Sequence, residues 1–246
     1  MNVLDLFSGV GAFSLGLERA GMRTVAFCET LPYPRAVLRK HWPHVPCYKD
    51  IRSLTADRLR ADGISVDVIC GGFPCQDISS AGLGAGLAGE RSGLWFEYLR
   101  LIGELRPDFV IVENVAALLK RGLDAVLGGL ASIGYDAEWD CVPASYLGAP
   151  HNRDRIWIVA YPERGERGQE PYSWALGRVG RQQQSVPWER PWQDSLRELR
   201  RVDDGSAYRV HRVDTIRNSL VPQIPEAIGR AIMRTLTVTS QTQGGA

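Results

Sequence analysis

Val66-Asp67-Val68-Ile69-Cys70-Gly71-Gly72-Phe73-Pro74-Cys75-Gln76-Asp77-Ile78-Ser79-Ser80 is the stretch whose reading decides the rest. A β-branched apolar run ends in two glycines, and a cysteine follows on a proline. Apolar strands of this kind are buried in parallel sheets, where chemistry gathers at the carboxyl ends. The run therefore delivers the Cys75 sulfur to the rim of a sheet. Pro74 fixes its own φ and biases Phe73 towards an extended conformation, so the connection is stiff. A free cysteine also packs well as a small hydrophobe, so the residues around it must choose between nucleophile and filler.

Upstream, Asn2 to Phe7 reads as a short buried strand. Ser8-Gly9-Val10-Gly11-Ala12-Phe13 turns the chain into a helix running to about Arg19, with Gly21 as its stop signal. Strand, glycine turn and helix make a nucleotide-binding opening, because glycines admit a ligand to the backbone and the helix start offers unpaired N–H groups. The glycine spacing (Gly9, Gly11, Gly16) is not that of a dinucleotide fingerprint and suits a smaller adenosyl ligand. Arg23 to Glu29 is a second strand ending in a carboxylate, the place where such units hold ribose hydroxyls. A helix over 34–41 and a short strand over 45–48 follow. Asp50, ahead of Ile51, either accepts from an adenine amino group or caps a helix starting near Ser53.

Downstream of Cys75, Gly82, Gly84, Gly86, Gly89 and Gly93 crowd one loop near Ser79, Ser80, Glu90 and Arg91, a composition suited to a lid. Leu94, Trp95, Tyr98, Leu99, Ile102 and Leu105 have helical spacing, and Pro107 ends that helix. Asp108 to Glu113 is another buried strand, with Glu113-Asn114 at its tip. A parallel neighbour would bring Glu113 beside Cys75, an acid next to a nucleophile, although a strand-end acid also caps helices. A helix over 123–133 and a strand over 135–142 precede His151-Asn152-Arg153-Asp154-Arg155, which enters a last strand over 156–160. Arg153 and Arg155, one residue apart, share a face of an extended segment and suit an anion or a reacting base.

From Glu163 to about Tyr208 the texture changes to Arg, Gln, Gly, Pro and Trp with weak periodicity. Trp174, Trp188 and Trp192 sit among arginines that include Arg178, Arg181 and Arg190, which is either a nucleic-acid surface or a small domain packing its tryptophans inwards. A helix is expected over 222–236 and a disordered tail over 239–246. The 246 residues carry a net charge of +1, so any pull on a polyanion is local. Lys40, Lys49 and Lys120 are the only lysines; arginine, suited to bidentate contacts with guanine and phosphate, supplies the rest, as does a GC-rich coding background. Five cysteines without paired spacing argue against a disulfide framework and against zinc. No apolar run reaches membrane-spanning length, and the start resembles a native cytoplasmic terminus.

Together these segments resemble the DNA (cytosine-5) methyltransferases, particularly the short phage-type members, over about 1–161 and 209–236. Asp5-Leu6-Phe7-Ser8-Gly9-Val10-Gly11 resembles the family's cofactor loop. Glu29 and Asp50-Ile51 match its ribose and adenine contacts, Gly72-Phe73-Pro74-Cys75-Gln76 its nucleophile motif, and Arg91 to Leu94 the segment that precedes its cofactor-lining helix. Glu113-Asn114-Val115 matches the acid motif and Arg153-Asp154-Arg155 the arginine motif. Asn218-Ser219-Leu220-Val221-Pro222 resembles the closing motif, whose helix returns to the cofactor loop.

The resemblance implies an α/β fold with a doubly wound, mostly parallel sheet, a catalytic domain over 1–161, a small recognition region over 162–208 and a closing segment over 209–238. It implies S-adenosyl-L-methionine as methyl donor and double-stranded DNA as partner, acted on by a monomer without metal. Cys75 would attack C6 of a flipped cytosine, helped by Arg153 and Arg155, with Glu113 and Asn114 at the base. Asp5, Phe7, Ser8, Gly9, Gly11, Glu29, Asp50, Ile51, Pro74, Leu94, Asn218, Ser219 and Val221 would surround the cofactor. Gln76, Ser79 and Ser80 would face DNA, with Arg178, Arg181 and Arg190 beyond them. Two departures stand out: Arg217 where the closing motif usually has glycine, and His151 where the arginine motif usually has glutamine. The RNA-directed branch carries a Cys-Phe-Thr tripeptide that is absent here, and a catalytically silent DNA-binding homologue is the other alternative. The short recognition region predicts a short target or relaxed specificity.

Overall fold

A computed structural model describes residues 1–74, 93–147, 154–163 and 220–243. The first strand, β1 (Asn2–Leu6), is buried on both faces, as its apolar run requires. Val3 joins one core layer and Leu4 and Leu6 the other. Around it lie α1 (Ala12–Arg19), β2 (Arg23–Cys28), α2 (Pro32–His41), β3 (Cys47–Tyr48), a 3₁₀ turn (Ile51–Ser53), α3 (Ala56–Ala61) and β4 (Val68–Gly71). The second half adds α4 (Leu94–Leu105), β5 (Phe109–Val115), α5 (Leu118–Arg121), α6 (Leu123–Ser132), β6 (Tyr135–Pro143), a 3₁₀ turn (Ala144–Leu147), β7 (Asp154–Pro162) and α7 (Gln223–Gln243).

The sheet order is β3-β2-β1-β4-β5-β7-β6. Strands β1 to β5 pair in parallel, while β7 runs antiparallel to both β5 and β6. β1 sits next to β4, so the order reverses there, and the carboxyl ends of β1, β2, β4 and β5 open onto one edge. Helices cover both faces. Trp95, Tyr98, Leu101 and Ile102 of α4 join Val126 and Leu130 of α6 on one side. Phe13 and Leu17 of α1 join Ile224, Ile228 and Ile232 of α7 on the other. This is the doubly wound, mostly parallel sheet expected from the sequence.

α1 and α7 pack against each other at close range. A Cβ on Gly16 would stand 2.3 Å from the Pro222 carbonyl, and one on Gly229 would stand 2.8 Å from the Ala20 Cβ. Glycine at both places lets the two backbones meet. The chain around Val221 and Pro222 thereby returns to the helix that carries the glycine loop, as the resemblance implied.

Three boundaries differ from the sequence reading. β5 continues past Glu113 to Val115 because β7 supplies it with an antiparallel partner through the pairs Glu113↔Trp157, Asn114↔Ile156 and Val115↔Arg155. For the same reason Arg155 lies within β7 rather than at its entrance. The last helix runs on to Gln243, so most of the tail expected to be disordered is helical. Nothing between Thr235 and Gln243 breaks a helix, and the first glycines come at Gly244 and Gly245. α5, absent from the sequence reading, is one turn anchored by the fully buried Leu118 and cut off at Gly122 (φ 158°).

Candidate active site

The tip of β1 is where the backbone leaves ordinary geometry. Phe7 adopts φ 52°, and Gly9 and Gly11 follow at φ 52° and 85°. Left-handed backbone is cheap for glycine, but for a phenylalanine it costs about 1–3 kcal/mol and persists only where the surroundings impose it. Here the surroundings are specific. Ser8 Oγ donates to the Asp5 carbonyl (2.6 Å) and accepts from the Cys28 N–H (3.2 Å), tying the loop to the end of β2. A Cβ at Gly9 would meet nothing within 4 Å, so the loop faces open space at that point. Phe7, half-buried, lies with its ring centroid 6.2 Å from that of Tyr98.

Glu29 follows directly on β2 and is almost fully buried, at 8% exposure. Its Oε2 accepts from the Gly9 N–H and its Oε1 from the Leu31 N–H, each at 2.8 Å. Two main-chain donors thus hold one carboxylate in a fixed pose, and each oxygen retains capacity for another donor. Asp50 caps the 3₁₀ turn, accepting from the Arg52 N–H at 3.0 Å, and pairs with the Arg52 guanidinium at 2.9 Å. The helix expected near Ser53 starts at Ala56 and is capped by Thr55, while Asp50 caps the 3₁₀ turn Ile51–Ser53. Ile51 is buried beneath it, and Leu94 opens α4 half-buried.

Asp5 stands apart from its neighbours. Its side chain is fully buried on the α1 side of β1, where Oδ2 accepts from Ser14 Oγ (2.7 Å) and more weakly from the Ser14 N–H (3.3 Å). Oδ1 has no N–H or O–H donor, and Cys70 is its register partner on β4. Burial pushes the Asp5 carboxyl up to about 8, against the opposing pull of the Ser14 bonds. Asp5, which the resemblance placed among the cofactor residues, is thus buried in the structure and pins the start of α1 beneath the loop. Ser14 is the residue that the sequence reading missed there.

Across the switch point, the tips of β4, β5 and β7 meet. Gly71 pairs with Val112, which sets Gly72 against Glu113. A Cβ at Gly72 would stand 2.7 Å from Glu113 Oε2, so a larger residue here would displace the carboxylate from this position. Arg155 Nε holds Glu113 Oε1 at 2.9 Å; both side chains are largely buried, with 22% and 13% of their surface exposed. Asn114, 3% exposed, donates from Nδ2 to the Phe73 carbonyl at 3.2 Å. That bond fixes the peptide leading through Pro74 to Cys75. The sequence reading grouped Asn114 with the catalytic residues; in the structure its side chain is buried and holds the Phe73 carbonyl. The Phe73 ring packs 5.3 Å from Trp95, giving the same segment an apolar anchor.

Cys75, Gln76, Ser79, Ser80, His151, Arg153, Arg178, Arg181, Arg190, Arg217, Asn218 and Ser219 lie outside the described residues, as does nearly all of the recognition region. The described part of the site is thus a fixed carboxylate at β2, a second carboxylate clamped by an arginine at β5 and β7, and an open glycine loop between helix start and strand end. Among the described residues no helix is long and apolar enough to cross a membrane.

A seven-stranded sheet of this order, with β7 antiparallel, matches a Rossmann-like methyltransferase fold. It superposes with TM-score 0.68 on a putative DNA modification methyltransferase encoded within an E. coli prophage. That match covers 96% of this chain and 99% of the other at 18% identity. The family model for C-5 cytosine-specific DNA methylases matches residues 1–184, and the chain belongs to that family. It is 35% identical over 168 residues to the type II methyltransferase M2.BsuMI of Bacillus subtilis, a match covering 65% of this chain and 42% of that protein. It is 35% identical over 164 residues to M.Eco47II of Escherichia coli, covering 64% and 39%. The chain thus matches less than half the length of these curated relatives.

Proposed function

We propose that this chain transfers a methyl group from S-adenosyl-L-methionine to C5 of a cytosine in double-stranded DNA, through a covalent bond between Cys75 and C6 of the base. The observation that carries the reading is the Glu113–Arg155 pair at the carboxyl edge of the sheet, set against Gly72 at the start of the Gly72-Phe73-Pro74-Cys75 segment.

The residues present fit an adenosyl cofactor. Glu29 offers a fixed carboxylate to ribose hydroxyls, the half-buried Phe7 ring offers apolar surface to adenine, and Asp50, with the Ile51 main chain beside it, offers an acceptor for its amino group. The space beside Gly9 is open. Val221, Asn218 and Ser219 would border the methionine end. When bound, the cofactor supplies an electrophilic methyl group.

The target cytosine leaves the helix stack, at a cost of roughly a few kcal/mol. A cysteine thiol near pKa 8.5 is mostly protonated at neutral pH, so cationic neighbours assist thiolate formation; Arg153 is the candidate, since Arg155 is committed to Glu113. The Cys75 thiolate bonds to C6, and electron density moves to C5. Glu113, oriented by Arg155, accepts from the exocyclic amine and, in its protonated form, donates to N3, which stabilises the charge that develops there. C5 takes the methyl group, its proton passes to a water molecule, and the C6–sulfur bond breaks with its electron pair returning to sulfur, so that Cys75 is again a thiolate. Residues 163–217 leave room for few base contacts, which favours a short or relaxed target.

Whole-genome cytosine methylation mapping in a methylation-free bacterial host tests this. Wild type is expected to methylate C5 in a short shared context, and Cys75→Ala to leave the genome unmodified. No methylation by wild type, unrelieved by Arg217→Gly, overturns the proposal in favour of RNA or of a silent binding role.

A further inference from the structure

Arg100, in the middle of α4, belongs to none of the motifs above, yet its guanidinium makes four hydrogen bonds. Nε donates to Glu97 Oε2 (2.8 Å) and Nη1 to Glu104 Oε1 (2.6 Å). Nη2 donates to two main-chain carbonyls, Ile51 at 3.0 Å and Leu54 at 2.9 Å. Glu104 completes the link by accepting from the Ala56 N–H at 2.9 Å.

The Ile51 carbonyl already closes the 3₁₀ turn by accepting from the Leu54 N–H at 3.2 Å, and a planar, permanently charged fork takes its second lone pair and the Leu54 carbonyl together. The flanking ion pairs are about one-third exposed and contribute little to stability by themselves. What they do is geometric: Glu97 and Glu104, three residues before and four after, hold the guanidinium in a single pose. The turn so gripped is Ile51–Ser53, with Asp50 as its cap.

We infer that Arg100 is a positioning residue for the cofactor, hanging the Asp50–Leu54 turn from α4 and so fixing where Asp50 and Ile51 meet adenine. The grip itself stands on the contacts above; its consequence for adenine rests on the function proposed here. Ile51 and Leu54 also anchor the turn through buried side chains. The role of Arg100 is therefore to set the backbone's place, while the apolar contacts keep it attached.

The experiment compares wild type, Arg100→Met, Arg100→Lys and Glu104→Gln in the full chain. Three quantities are read: the Kd of S-adenosyl-L-homocysteine by calorimetry, KM and kcat for methyl transfer, and amide hydrogen exchange at residues 51–54 without ligand. Arg100→Met is expected to raise Kd and KM about tenfold, the scale of losing charge-assisted bonds, with kcat within about twofold at saturating cofactor. Exchange at 51–54 is expected to accelerate in the same variant. Arg100→Lys, which keeps the charge but not the fork, and Glu104→Gln are expected to fall between and to serve if Arg100→Met does not fold. Unchanged Kd and KM with unchanged exchange overturn the inference, as does a loss confined to kcat. Wild type that binds no S-adenosyl-L-homocysteine overturns the proposed function, and exchange at 51–54 then still decides whether the grip exists.

Discussion

The two halves of the site are held in different ways. On the β1–β2 side, side chains meet main chain: Glu29 takes the Gly9 and Leu31 amides, Ser8 bridges to Cys28, and Arg100 takes the Ile51 and Leu54 carbonyls. On the β5–β7 side, the acid is held by another side chain, Arg155, and by the absence of one at Gly72. Main-chain anchoring makes a receptacle whose shape survives many substitutions in its lining. Side-chain anchoring makes a reactive group whose orientation depends on single residues. The cofactor half should therefore lose affinity gradually, and the reaction half should lose turnover abruptly.

The sharpest way to break that contrast is Gly72→Ala. Its Cβ would fall 2.7 Å from Glu113 Oε2, and the cheapest relief is to push the carboxylate off Arg155. The expected result is a fall in kcat of about a hundredfold or more, the scale of one lost charge-stabilising contact, with cofactor affinity within about threefold of wild type. Equal losses in kcat and cofactor affinity, measured by steady-state kinetics, would mean that the halves are not separable.

Next in size is Glu29→Gln. The amide keeps the shape but gives up one acceptor and the charge that holds two main-chain N–H groups. KM for the cofactor is expected to rise about tenfold to a hundredfold while kcat changes little. A kcat effect larger than the KM effect would contradict the division.

The smallest effect concerns stability. Asp5 is raised by burial from 3.8 to about 8, so the native state holds its proton where the unfolded chain has released it. The contribution is fully present below about pH 4 and is lost as pH rises towards about 8. Glu138, half-buried beside Tyr161 and raised to about 7, acts in the same direction between about pH 4.5 and 7. Asp5→Asn is expected to flatten the decline in urea-unfolding free energy between pH 4 and 8, leaving the Glu138 part. An unchanged slope would show that Asp5 titrates normally.

What was legible in the sequence follows the same division. α4 was read with its correct bounds because its apolar spacing is regular and Arg106 (φ 51°) and Pro107 stop it. The glycine loop, Glu29 and the Gly71-Gly72 break were legible because main-chain geometry demands particular residues there. The length of β5 was not, because it depends on an antiparallel partner some forty residues onward. Asp5 reads as a cofactor residue by its motif; only the packing of Ser14 against it reveals its structural task. Arg100 carries one sequence trace, two acids at helical spacing on an otherwise apolar helix, but its carbonyl partners lie 46 and 49 residues away.

The central claim, that a cysteine and an arginine-clamped acid together methylate cytosine, is tested most directly by C5 proton release. Purified protein would be given DNA tritiated at cytosine C5, with S-adenosyl-L-methionine, for wild type, Cys75→Ala and Glu113→Gln. The account predicts cofactor-dependent tritium release by wild type, none by Cys75→Ala, and a rate lowered about a hundredfold or more by Glu113→Gln at near-normal cofactor affinity. Tritium release by Cys75→Ala at the wild-type rate would contradict it.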